Sequence, residues 1–76
     1  MPRAHKNGNF KIIRETLKKT RKGKKLSLTK LSNITGYSAS AISSWEIGSR
    51  SPCIQSLIDW AHSLGYRIVT EEIQDN

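Results

Sequence analysis

The sequence predicts an all-α fold, a compact bundle of four to five short helices with a C-terminal β-strand added for dimerisation. Three observations predict it. Apolar residues recur at three- and four-residue spacing in four separate stretches. Glycines 23, 36, 48 and 65 close these stretches, and serines 27, 38 and 51 stand where the later ones open. The residues after Gly65 are instead β-branched and aromatic. At 76 residues the chain is one domain with a small core and marginal stability.

The elements follow in order. Residues 1–9, MPRAHKNGN, are polar and aperiodic and read as a flexible basic arm. Phe10, Ile13, Leu17 and Thr20 define a first helix over about 10–22. Lys11, Arg14, Lys18, Lys19 and Lys22 surround its stripe, and Gly23 breaks it. Basic residues in its last turn suit the negative end of the helix dipole. Ser27 caps a second helix over 28–35, with Leu28, Leu31 and Thr35 on one side and Ile34 beside them. Gly36 follows where a helix ends in the left-handed conformation. Ser38 caps a third helix over 39–47, whose inward residues are Ile42 and Trp45 and whose end is Gly48. Ser51-Pro52 opens a fourth helix, with Cys53 as an alternative but poorer cap. Leu57, Trp60, Ala61 and Leu64 form its apolar face, and Gly65 stops it. A single strand over 66–72 completes the chain. The domain proper is thus 10–65, with 66–76 as a strand and tail.

Charge narrows the partner. Residues 1–30 carry eleven Lys and Arg against Glu15 alone, a balance of +10. Residues 31–76 carry Arg50 and Arg67 against Glu46, Asp59, Glu71, Glu72 and Asp75, a balance of −3. A polyanion meets the first part and is repelled by the last, so nucleic acid is the first candidate and an anionic membrane surface the second. Cys53 is alone, which leaves no disulfide framework and no thiolate metal site. His5 and His62 have no partner at metal-ligand spacing. No metal, cofactor or catalytic constellation is expected, and the chain reads as a non-enzyme. No apolar run is long enough to span a bilayer, and the N-terminus lacks the apolar core of a signal peptide. A cytoplasmic, nucleoid-associated location is the expectation.

Leu26 to Pro52 is the most specific stretch. Two short helices joined by a tight turn can lay one helix across a DNA backbone and the other in the major groove. The turn needs a residue such as Gly36. The pair needs apolar anchors, here Leu31, Ile42 and Trp45. The leading face of the second helix must be solvated, and it carries Ala39, Ser40, Ser43 and Ser44.

Residues 17–65 resemble the helix-turn-helix domain of the lambda-repressor/Cro family, also called XRE-type. The resemblance runs through Leu17, Arg21, Leu26-Ser27, Leu31-Ser32, Gly36-Tyr-Ser38, Ile42-Ser43, Trp45-Glu46, Gly48, Arg50, Pro52, Leu57, Ala61 and Leu64-Gly65. It implies a partly buried ion pair between Arg21 and Glu46. It implies backbone contacts to DNA from Ser27, Leu28, Ser49, Arg50 and Ser51, and a recognition helix whose base-reading positions are Ala39, Ser40 and Ser44; Ser38 and Ser43, by their place on the same helix, read as DNA contacts over a merely soluble face. The chain departs from the family at Leu28, where a polar residue is common. It departs again at Ala39, Ser40 and Ser44, where Gln, Arg or Asn are common. Ala and Ser make no bidentate base contact, so the basic arm and DNA shape carry more of the specificity. A fifth dimerising helix, common in the family, is replaced by the strand, which pairs across a two-fold axis.

Each sharp assignment has a plainer rival. The run Lys18 to Lys25 is a solvated face if taken alone; beside this motif, Lys24 and Lys25 read as phosphate contacts. Arg3 and Lys6 enter a minor groove or lie in an unstructured terminus. Trp45 and Trp60 are core residues, and Cys53, His5 and His62 are ordinary surface or loop residues. The resulting expectation is a sequence-specific regulator of transcription, a repressor binding a two-fold operator as a homodimer through residues 66–73, with helix 39–47 in the major groove. The alternatives are an autoregulating antitoxin, with a protein partner at the acidic tail, and a protein- or RNA-binding module.

Overall fold

In the computed structural model, which describes residues 8–70 and 72, four helices follow one another: α1 (Gly8–Gly23), α2 (Leu28–Thr35), α3 (Ala39–Ile47) and α4 (Ile54–Ser63). Among the described residues there is no fifth helix. The basic arm as far as Asn7 lies outside the described residues, as do Glu71 and residues 73–76 of the acidic tail.

α1 begins before Phe10 and buries Leu17 and Arg21, with Ile13 half-buried against the same core. It ends at Gly23, although Gly23 is not the left-handed residue. The left-handed residue is Lys25 at φ 58°, and the Lys24 and Leu26 N–H groups close the end on the Thr20 and Arg21 carbonyls at 2.9 and 3.1 Å. A side chain in that conformation costs roughly 1–2 kcal/mol, so the α1–α2 turn carries local strain at a lysine.

α2 and α3 start and stop where their caps direct. Ser27 and Ser38 are extended residues whose hydroxyls accept the N–H groups of Lys30 and Ala41, each at 3.0 Å. Gly36 at φ 86° and Gly48 at φ 91° end the two helices in the left-handed region, where a side chain is disfavoured. α4 starts later than Ser51-Pro52 suggests. Cys53 is the N-cap and makes no side-chain cap bond; its thiol instead lies 3.3 Å from the Ser56 hydroxyl. The Ser-Pro signal failed because Pro fits an extended approach to a helix as well as its first turn.

The core is small and continuous: Leu17, Leu31, Ile42, Trp45, Trp60, Ala61 and Leu64. Every helix supplies it. α3 packs against both α1 and α2, and α2 also packs against α4. Trp45 lies 5.4 Å from Trp60 and 5.4 Å from Tyr37, edge-on to the latter. Both tryptophans are therefore packing residues.

Residues 66–70 and 72 have no regular secondary structure. A strand is defined by the ladder it shares, and among the described residues nothing pairs with this segment. It runs back over α1 instead. The Tyr66 N–H bonds the Ala61 carbonyl at 2.9 Å, and its hydroxyl lies 3.0 Å from that of Thr20. Ile68 packs on the core while Val69 is exposed. An apolar groove of about 160 Å³ lies here, lined by Ile12, Ile13, Leu17, Ala61, Tyr66 and Ile68 among others.

Candidate nucleic-acid interface

The geometry of α3 rests on an ion pair beneath it. Arg21 from α1 donates through Nε to Glu46 Oε2 at 2.7 Å and through Nη2 to Oε1 at 3.1 Å. Its Nη1 donates to the Leu26 carbonyl at 2.8 Å. Both side chains are buried. A planar guanidinium holding a carboxylate by two bonds fixes orientation as well as distance. The same arginine thus ties α1, the α1–α2 turn and the last turn of α3.

The turn between α2 and α3 is held from two sides. The Thr35 hydroxyl donates to the Leu31 carbonyl at 2.9 Å and accepts the Tyr37 N–H at 3.1 Å. The Tyr37 hydroxyl donates to Asp59 of α4 at 2.6 Å, and Gln55 donates to the other oxygen of that carboxylate at 3.0 Å. Donation to Asp59 raises the Tyr37 phenol above its ordinary titration range. The Cys53 thiol is lowered by its hydrogen bond with Ser56.

The loop after α3 is organised around one atom. The Ser44 carbonyl accepts the N–H groups of Gly48 at 2.9 Å, Ser49 at 3.0 Å and Arg50 at 3.4 Å. Arg14 of α1 lies over Gly48, and a Cβ there would come within 2.8 Å of the guanidinium. The Arg14 guanidinium also lies 5.5 Å from the centre of the Phe10 ring. Gly48 is therefore favoured by its backbone angle, and a side chain there would also displace the flexible end of Arg14.

Around this frame, Ser27, Ser38, Ser40, Ser49 and Arg50 are exposed, and Ala39, Ser43 and Ser44 are half-buried. Lys24 and Lys25 are exposed on the α1–α2 turn, separated from the Ser27 cap by Leu26. Leu28 is half-buried and packs against the core. What it offers outward at the start of α2 is its backbone N–H, one of the unpaired groups that any helix start presents. Three features have weak or no sequence signals. The Tyr37–Asp59 bond joins residues 22 apart. Arg14 looks like any other basic residue of α1. Ile47 is 65% exposed at the end of α3, and only its seven-residue distance from Ser40 signals a shared face.

Among the described residues, no group of side chains could hold a metal ion, and no helix is long and apolar enough to cross a membrane. A family model described as helix-turn-helix matches residues 17–70. No curated protein and no solved structure matches the chain.

Proposed function

Because the chain belongs to the helix-turn-helix family of lambda-repressor/Cro-like, XRE-type DNA-binding transcription regulators, we propose that it is a repressor that binds a two-fold operator as a homodimer. The observation that carries this reading is the α2–turn–α3 unit itself. Its two serine caps and its left-handed Gly36 set the angle between the helices, and the buried Arg21–Glu46 pair fixes α3 from below. In this reading α3 enters the major groove with Ser38, Ala39, Ser40, Ser43 and Ser44 toward the bases. Ser27, the Leu28 N–H, Ser49 and Arg50 hold phosphates, with Lys24 and Lys25 beside them. The nucleoid is then its location.

Dimerisation belongs to the segment that begins at Tyr66. Its described backbone has no ladder partner, and Tyr66 and Val69 are exposed, at 41% and 67%. Pairing with the same segment of a second copy satisfies that backbone and makes an isologous interface. Half-sites then lie about one helical turn apart.

The test is nuclease protection on duplex DNA upstream of the protein's own coding sequence, at low salt. A protected, two-fold-related sequence whose occupancy lowers transcription from the adjacent start is the expected result. Absence of any protected sequence sinks the reading, and a protected sequence without two-fold symmetry removes the dimer from it.

A further inference from the structure

Ile42, Trp45 and Glu46 are buried, so at about 100° per residue the opposite side of α3 carries Ser40, Ser44 and Ile47. Ser40 and Ile47 fall within roughly 20° of one line, about 10 Å apart along the axis. Ile47 is 65% exposed. A single exposed isoleucine is ordinary on a protein surface. This one ends a stripe otherwise made of hydroxyls, one residue before the Gly48–Arg50 loop.

Ser44 differs from the capping serines in the direction of its hydrogen bond. Ser38 accepts from the Ala41 N–H, so its proton is free to be donated. Ser44 donates to the Ala41 carbonyl at 2.8 Å, so only its lone pairs face outward. An outward acceptor meets an amino group. In the major groove the amino groups are adenine N6 and cytosine N4, and the apolar feature is the thymine methyl. Adenine–thymine pairs alone offer both an amino group and a methyl.

We propose that Ser44 and Ile47 read neighbouring adenine–thymine pairs, Ser44 Oγ accepting the adenine N6–H and Ile47 packing on a thymine C5 methyl. The proposal rests on α3 being the helix in the major groove and adds a base preference to it. The two residues are about 4.5 Å apart along the helix axis, close enough to reach the same or adjacent pairs.

The experiment selects a preferred duplex from a random library. It then replaces each thymine by uracil, which removes only the methyl, and each adenine by purine, which removes only the amino group. At one thymine the uracil duplex should bind about fourfold more weakly, the value of one buried methyl. Ile47→Ala should bind both duplexes equally. At a neighbouring adenine, loss of the amino group should weaken the wild type severalfold and leave Ser44→Ala indifferent. Ile47 is exposed, so its variant tests the idea even if Ser44→Ala perturbs the helix. Flat scans with sequence-selective binding intact overturn the base assignment and leave α3 in the groove. A change of oligomeric state in Ile47→Ala, without a change in base discrimination, overturns it in favour of a protein contact. If the library yields no preferred sequence at all, the groove reading of α3 falls, and this proposal with it.

Discussion

Arg21 satisfies three acceptors from a buried position, and Glu46 receives two of those bonds. Removing either partner strands the other away from water. Arg21→Ala and Glu46→Gln should each lower the unfolding free energy by about 3–5 kcal/mol, measured by urea denaturation. A loss below about 1 kcal/mol, the ordinary worth of an exposed pair, would show that the pair is solvated in solution. Arg21 and Glu46 are legible only through the resemblance; the helical spacing alone puts Thr20 rather than Arg21 on the inner stripe of α1. A periodicity count misses a buried arginine because it scores residue types, and Arg21 is inside only on account of its carboxylate. Lys25 makes the opposite point. Its left-handed backbone stores strain that glycine would release, so Lys25→Gly should raise stability by up to about 1 kcal/mol. The same change should weaken DNA binding, since it removes a cation from the turn beside Ser27. Lower stability together with unchanged binding would contradict both statements.

At the scale of elements, α2 and α3 were legible because each is bracketed by a capping serine and a glycine that act within a few residues. The start of α4 was not, because Cys53 gives no cap signal. The tail was not either, since a ladder depends on a partner that no local pattern specifies. The Tyr37–Asp59 bond is likewise invisible to spacing, yet it joins the turn before α3 to α4. Its pH dependence follows from the direction of the Tyr37 shift. The phenol holds its proton more tightly folded than unfolded, so the stabilisation is complete below the ordinary value of 10.0. It is lost as pH rises through the higher folded value. Thermal melts should therefore place Tyr37→Phe below the wild type while pH stays under the ordinary value of 10.0, with the gap closing as pH rises above it and the wild-type tyrosine ionises. A gap that persists unchanged would mean the hydroxyl does not hold the turn.

Across the whole molecule, the charge asymmetry of +10 against −3 was legible by counting. Structure adds where some of that charge stands. Arg21 is withdrawn into the interior and paired with Glu46, Arg14 is half-buried over Gly48, and Lys24, Lys25 and Arg50 are exposed. Each phosphate neutralised contributes about −0.9 to the slope of log K against log salt. Lys24→Ala, Lys25→Ala and Arg50→Ala should each flatten that slope by about one unit without changing the preferred sequence. A variant that leaves the slope unaltered identifies a lysine or arginine that serves only solubility.

The Ser44 carbonyl, with three N–H groups converging on it, bears on the entropy of the proposed encounter with DNA. Ordering a backbone residue costs about 1–2 kcal/mol, and a flexible loop that meets DNA loses that freedom at the moment of contact. Gly48, Ser49 and Arg50 are already fixed to α3 before any phosphate arrives. In the proposed complex their attraction for the polyanion is thus little diminished by an ordering penalty, because α3 and the loop after it are already held together.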